Sequence, residues 1–178
     1  MPPVATSSHS RIWPAVNMVG RADMGRQRSN NEDCVGVAPQ ATPWPVAVLA
    51  DGMGGYNAGE VASVMAVELV TAAVQSGSAA DDTLKTAQCE LMDALQMANS
   101  AIYSAAQSTP GCRGMGTTVV VAMVLRHELL IAHLGDARAY VWRDGQLKRL
   151  THDHSLVQQN IDAGLMTEEE AKASRYSH

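Results

Sequence analysis

Three acidic clusters stand at the ends of apolar segments, where a sheet would hold their carboxylates in fixed positions. The first cluster is Glu32 with Asp33, and Arg28 precedes Glu32 by four residues. The second is Asp51, which ends an apolar run and is followed by Gly-Met-Gly-Gly, a sequence that lets the backbone turn sharply beside a ligand. The third is Asp136, in the segment LGDARAY. Carboxylates with nearby backbone carbonyls are hard oxygen ligands suited to Mg²⁺ or Mn²⁺.

The residue types around these acids indicate an anion beside the cation. A guanidinium such as that of Arg28 recognises an anion in a forked geometry, whereas carboxylates bind a metal ion. Acids that share one site repel one another unless cations neutralise them. The combination predicts a substrate that carries phosphate next to a metal, although an isolated acid of this kind is more often a solvated turn residue.

Composition indicates a single globular domain. The chain has 178 residues, is 46% hydrophobic and carries a net charge of −5. That charge argues against a general nucleic-acid binder, because no cluster of Lys and Arg offsets it. The sequence contains no run of about 18 apolar residues and no secretory leader, so we expect no membrane span and a cytoplasmic location. We expect the three separated cysteines to be reduced thiols, and residues 1–12 to form a flexible tail.

Hydrophobic periodicity predicts the order of the elements that position these acids. Early strands are expected at Val16–Val19, Cys34–Ala38 and Val46–Ala50. Two long helices should follow, the first burying Val61, Met65, Leu69 and Ala72, and the second Leu84, Ala87, Leu91, Leu95, Ala98 and Ile102. Asp81 or Asp82 is the expected N-cap of the second helix, and Thr109-Pro110-Gly111 its end.

The second half of the chain changes to β-branched runs. TTVVVAMVL, ELLIAHL, RAYVW and LKRL predict antiparallel strands, with tight turns at Arg126-His127 and Asp144-Gly145. SLVQQNIDAG and TEEEAKA predict two short helices, the second with a capping box between Thr167 and Glu170. Strands and helices that are segregated in this way predict an α+β fold rather than an alternating α/β one.

Six segments together resemble the bacterial form of the metal-dependent serine/threonine protein phosphatases of type 2C. They are RSNNED at 28–33, DGMGGYNAGEVAS at 51–63, GMGTT at 114–118, GDARAY at 135–140, LTHDHSLV at 150–157 and, in the flap beside the family's active site, DAGLMTEEEA at 162–171. The resemblance implies a four-layer α/β/β/α sandwich, in which two antiparallel sheets pack face to face between helices. It also implies hydrolysis of phosphoserine and phosphothreonine by a water that two Mn²⁺ or Mg²⁺ ions activate.

The roles of individual residues are implied by position in the family pattern. The metal ligands implied are Asp51, which bridges both metals, Gly52 through its carbonyl, Glu32 for the second metal and Asp136 for a third and weaker metal. Arg28 is the group that holds the phosphate, and Asp33 is a supporting residue. Phosphorylated Ser/Thr proteins would be the substrates, and a cognate Ser/Thr kinase a natural partner.

The sequence also departs from the family pattern. Two later metal-binding aspartates of the family find no match, so we expect residues 13–178 to be the N-terminal portion of the catalytic domain, without its last strands. This leaves an alternative function, a non-catalytic pseudophosphatase or phosphoprotein-binding regulatory module.

Met53 stands where some family members carry a histidine proposed as general acid. His152 and His154 could form a zinc site, or they could belong to a segment that fixes a loop.

Overall fold

A computed structural model describes residues 16–173, apart from 42, 56–57, 78–82 and 127. The tail expected at residues 1–12 lies outside the described residues. The elements are β1 (Asp33–Ala38), β2 (Val46–Met53), α1 (Ala58–Ser76), α2 (Leu84–Ser108), β3 (Gly116–Thr117), β4 (Val119–Leu125), β5 (Glu128–Leu134), β6 (Tyr140–Arg143), β7 (Gln146–Arg149), α3 (Leu156–Asp162) and α4 (Glu168–Ala173).

The main sheet is antiparallel and has the strand order β1-β2-β4-β5, with the short β3 paired to the end of β2. Strands β6 and β7 form a separate hairpin. These pairings confirm the α+β fold with antiparallel sheets. In the part of the chain that the structure describes, the second sheet consists of the β6–β7 hairpin alone. The four-layer sandwich therefore stays a prediction.

Helix α1 packs on β1 and β2, and α2 packs against α1. The expected buried face of α1 was wrong at Val61, which is 40% exposed, and at the exposed Ala72, whereas Met65 and Leu69 are half-buried and pack against the core. The residues that are buried instead are Ala58, Gly59, Ala62, Ser63, Ala66, Val67, Val70 and Val74. Most of them are small, and small side chains let the helix backbone approach the sheet closely. A helix that is apolar on most sides does not reveal by periodicity which side meets the sheet.

Helix α2 follows the sequence prediction more closely. Five of the six predicted positions are buried, and only Leu84, in its first turn, is exposed. The helix ends at Ser108, as the Thr-Pro-Gly sequence indicated. The expected cap was wrong, because the N-cap is Thr83, whose Oγ1 accepts a hydrogen bond from Thr86 N at 3.2 Å. Asp81 and Asp82 themselves lie outside the described residues.

The strand expected at Val16–Val19 does not form, since this segment pairs with no strand among the described residues. The chain that follows it passes against the side chains of β1, where a Cβ added at Gly20 would lie 2.9 Å from Val35 Cγ2. A β-rich composition cannot form a strand without a partner that offers its backbone groups.

The second half of the chain agrees with its predictions where the structure describes it, whereas His127 of the expected Arg126-His127 turn lies outside the described residues. Strands β4 to β7 and both short helices form where expected. The β6–β7 turn has φ values of +52° at Asp144 and +76° at Gly145, as a two-residue turn of this hairpin type requires. In the capping box, Thr167 N donates to Glu170 Oε2 at 2.8 Å and Glu170 N donates to Thr167 Oγ1 at 3.2 Å.

One helix among the described residues, α1, is long and apolar enough to cross a membrane, with a mean hydropathy of 1.3. The core helix of a globular domain has the same composition, and the fully buried valines of α1, Val70 and Val74, belong to the core that this helix forms with the sheet and α2. Packing in the protein core therefore accounts for its hydropathy.

All three cysteines are free.

Candidate functional site

Two carboxylates face each other at the end of the β1–β2 ladder. Asp33 and Asp51 are direct partners in the antiparallel register, so their side chains lie on the same face of the sheet. Directly opposed residues of this kind have Cβ atoms about 4.5–5.5 Å apart, and like charges there are destabilising. The pKa of Asp51 is raised, first by burial and then by the charge and hydrogen bonding of Asp33 and the charge of Asp136, while Arg28 acts in the opposite direction.

The backbone of Asp51 is held from the other side by the start of β4. Asp51 N donates to Thr118 Oγ1 at 3.1 Å, and Thr118 N donates to Asp51 O at 2.9 Å. The same carbonyl oxygen accepts a hydrogen bond from Thr117 Oγ1 at 2.9 Å. Sequence reasoning missed this role, because it took both threonines as the start of a buried strand. The signal was present in two adjacent hydroxyls directly before a β-branched run.

Glu32 lies over the first turn of α1. Its main-chain oxygen accepts a hydrogen bond from Gly52 N at 3.1 Å, which ties it to the end of β2. A Cβ added at Gly59 would lie 2.6 Å from Glu32 Oε1, so the carboxylate rests against the helix where a larger residue would displace it. A carboxylate at this position is stabilised by the partial positive charge of a helix N-terminus.

Arg28 extends from the same loop and is open to solvent. Its Nη1 lies 3.5 Å from Glu32 Oε2, and its side chain is 76% exposed, whereas that of Glu32 is 17% exposed. An exposed ion pair of this type contributes little to stability. The guanidinium can therefore leave Glu32 for an incoming anion at small cost.

Asp136 reaches the site from the loop between β5 and β6. The preceding Gly135 has a φ of +93°, and a Cβ added there would lie 2.8 Å from Thr118 Cγ2. The loop thus rests on the same threonine that holds Asp51. The charge of Asp136 adds to the raised pKa of Asp51, after burial and Asp33, and the opposite effect of Arg28 shows that the Arg28–Glu32 pair also lies near Asp51.

These carboxylates fit a divalent cation in their chemistry. All are hard oxygen donors, and a cation would relieve the repulsion that raises the pKa of Asp51. Within the described ranges, no three metal-ligating side chains lie close enough to form a complete ligand group. The carboxylates therefore have the right chemistry for a divalent cation, but they form only part of a complete set of ligands.

The two histidines of the LTHDHS segment contact different residues. His152 Nε2 lies 2.7 Å from Asp162 Oδ2, whereas the ring of His154 stacks on His133 with centroids 4.4 Å apart. His154 Nδ1 also accepts a hydrogen bond from Gly135 N at 3.4 Å. These contacts fit the loop-fixing interpretation better than a shared zinc ion.

The fold and the site define an antiparallel α+β protein in which carboxylates with the donor chemistry that suits a divalent cation lie beside an exposed arginine. Comparison with known proteins gives the family. The family model described as protein phosphatase 2C matches residues 20–176. The chain therefore belongs to the protein phosphatase 2C family, as the sequence motifs predicted.

Individual relatives agree with this assignment. The chain is 39% identical to the serine/threonine phosphatase stp of Listeria monocytogenes over 151 residues, which is 85% of the chain and 60% of that protein. It matches the crystal structure of the S. agalactiae serine/threonine phosphatase with a TM-score of 0.80 and 34% identity, covering 88% of the chain and 63% of that structure. It matches the catalytic domain of the phosphatase PstP, crystallised with two manganese ions, with a TM-score of 0.71 and 36% identity, covering 85% and 61%. The chain spans about three fifths of the length of these relatives.

Proposed function

We propose that the protein is a metal-dependent phosphatase that hydrolyses phosphoserine and phosphothreonine in proteins. The observation that carries the proposal is the opposition of Asp33 and Asp51 on one sheet face, where burial and then Asp33 raise the pKa of Asp51 and the charge of Asp136 adds to the effect. A fold maintains such repulsion at a cost to its own stability, and sites of this kind are typically functional. The phosphatase names of the relatives and the manganese ions in one of them support the same function.

The acids of the site would hold Mn²⁺ or Mg²⁺. We assign Asp51 as the central ligand, because both of its backbone polar groups are fixed by hydrogen bonds to Thr118. Glu32, the carbonyl of Gly52 and, at a third and weaker position, Asp136 complete the proposed ligands in this chain. Asp33 faces Asp51 directly, so it orients that carboxylate and adds negative charge for the cations. The bound ions would supply a water activated for attack on phosphorus.

Arg28 would bind the phosphate of the substrate. Its guanidinium is exposed and can offer parallel N–H donors to two phosphate oxygens. Arg28 Nη1 contacts Glu32 Oε2, so the same loop carries both the proposed cation-binding and the proposed anion-binding group. We further propose that the substrates are phosphorylated proteins and that a cognate Ser/Thr kinase supplies them. The cytoplasmic location expected from the sequence stays a prediction.

The test is hydrolysis of a phosphothreonine peptide by the 178-residue chain in Mn²⁺ and in EDTA. Asp51→Asn should abolish the metal-dependent rate. Asp144→Asn is the matched control, because it removes one negative charge from the β6–β7 turn, and Asn tolerates the positive φ found there. Retained activity in Asp51→Asn would refute the assignment of Asp51.

The same preparation separates the two candidate functions. A folded chain that releases no phosphate, but binds the phosphopeptide tightly without metal, would instead be a regulatory phosphoprotein-binding module. A folded chain that neither turns over nor binds the peptide would contradict both functions for these 178 residues.

A further inference from the structure

The loop that carries Asp136 has no regular secondary structure, yet it is anchored at both ends by the segment after β7. At one end, His154 N donates to Gly135 O at 2.9 Å. At the other end, Ala139 N donates to Thr151 Oγ1 at 3.1 Å. The segment 151–154 thus supports the loop 135–139 along its length, although the two are separated in sequence by the whole β6–β7 hairpin.

The centre of this support is Asp153. It is only 7% exposed, and its carboxylate is held by two arginines. Arg138 Nε donates to both carboxylate oxygens at 3.0 Å, and Arg149 Nη2 lies 3.3 Å from Oδ1. The hydrogen bonds from Arg138 hold the pKa of Asp153 below its ordinary value. A buried carboxylate paired in this way cannot lose a partner without a large penalty, so the geometry of the cluster is rigid.

Arg138 stands two residues after Asp136 on the same loop. Its attachment to Asp153 therefore restrains the stretch of backbone that presents the Asp136 carboxylate. The loop also rests, at Gly135, on Thr118, which binds the backbone of Asp51. The loop that carries Asp136 is thus held by two separate supports, Thr118 at Gly135 and Asp153 at Arg138.

We propose that Asp153 is a positioning residue for Asp136 that acts through Arg138. Asp153 does not itself bind the cation, since its carboxylate is occupied by the two arginines. Its effect on metal binding rests on the proposed function, in which Asp136 is a metal ligand. Its effect on the loop does not depend on that function, and the two can be measured separately.

The first measurement is amide hydrogen exchange of the metal-free chain. In Asp153→Asn, the amides of Gly135 and Ala139 should exchange at least about tenfold faster than in the wild type, because hydrogen bonds to a charged group are lost. The amides of β4 and α1 should keep their rates. Asp144→Asn is the matched control, because it removes an aspartate from the exposed β6–β7 turn, outside both the loop 135–139 and its supporting segment 151–154. Unchanged exchange in the loop of Asp153→Asn would overturn the proposal.

The second measurement is a double-mutant cycle on Mn²⁺ binding by calorimetry. Asp153→Asn should weaken binding of the cation about tenfold in the wild type and should have no effect in an Asp136→Asn background, because it acts through that residue. An equal loss in both backgrounds would show that Asp153 acts on the site by another route, and would overturn the proposal.

A third variant keeps the proposal falsifiable if Asp153→Asn does not fold. Arg138→Lys keeps the positive charge but cannot make the paired contact with Asp153, and it should give a smaller acceleration of exchange in the same loop. Loop exchange at the wild-type rate in Arg138→Lys would then overturn the proposal. If the wild-type chain binds no Mn²⁺, the proposed function fails, while the exchange rates still decide whether Asp153 positions the loop.

Discussion

Replacement of Gly52 by alanine should destabilise the protein more than the same replacement at any other glycine near the site. A Cβ at this position would lie 2.0 Å from Gly59 O, 2.5 Å from Gly59 C and 2.8 Å from Glu32 O. All three are backbone atoms, so no side chain can rotate away. The end of β2 and the first turn of α1 would have to separate by more than about 1 Å to restore ordinary contact distances.

The cost follows from two contributions. Overpacking of this kind costs about 1–3 kcal/mol in well-packed interiors, and contact with backbone places Gly52→Ala at the upper end of that range. The separation also weakens the 3.1 Å hydrogen bond from Gly52 N to Glu32 O, which contributes about 1 kcal/mol. The free energy of unfolding should therefore fall by about 3–4 kcal/mol. For a chain of this length, that corresponds to a Tm lowered by about 6–16 °C.

Thermal unfolding of the metal-free chain, followed by circular dichroism, measures this effect. Gly55→Ala is the control, because a Cβ there would meet nothing within 4 Å. Its Tm should stay within about 2 °C of the wild type, as for most changes without a packing conflict. A Tm for Gly52→Ala that is equally close to the wild type, or an equal loss in both variants, would refute the close approach of β2 to α1.

Two further predictions concern charge and helix capping. Asp51→Asn should raise the Tm of the metal-free chain at neutral pH by about 0.5–4 °C, because it removes a like charge opposite Asp33. The pKa of Asp51 is raised on folding, by burial and then by Asp33, so the wild type loses stability as pH rises from 3.8 through the raised value. The gain in Asp51→Asn should therefore vanish below pH 3.8, and a pH-independent gain would contradict the reasoning. Thr83→Ala should lower the free energy of unfolding by about 1 kcal/mol, because Thr86 N loses its acceptor. Urea denaturation measures this loss, and Thr83→Ser, which keeps the hydroxyl, should retain most of the stability.

Elements whose signals are local were predictable from the sequence. The β6–β7 turn depends on an Asp-Gly pair that tolerates positive φ, and the α4 cap depends on Thr167 and Glu170 three residues apart. Both are decided by neighbouring residues, so no distant contact is needed to predict them. Apart from the α2 N-cap, which lies at the neighbouring Thr83, the failures had distant causes. Val16–Val19 finds no strand partner among the residues that the structure describes, and the choice of the buried face of α1 depends on a sheet that forms from both halves of the chain.

The features of the candidate site also divide into those that the sequence predicted and those that depend on the tertiary structure. Its charged residues were named from their types and order, because Arg28, Glu32, Asp51 and Asp136 stand in segments that match a family pattern. Periodicity could not show that Asp33 faces Asp51, since a shift of one residue in register would place the two on opposite faces. The contribution of Thr118 was hidden for the same reason, because its hydroxyl meets Asp51 only after β4 has paired beside β2.

By itself, the sequence determined the family, the order of the elements and the identity of the charged groups, because these depend on residue type and on spacing along the chain. Tertiary structure alone decided which carboxylates share a face, which hydroxyls hold them and how Asp153 supports the loop of Asp136. These contacts join residues that are 15 to 67 positions apart. Their geometry depends on strand register and close backbone approach, which arise only when the whole sheet and α1 pack together.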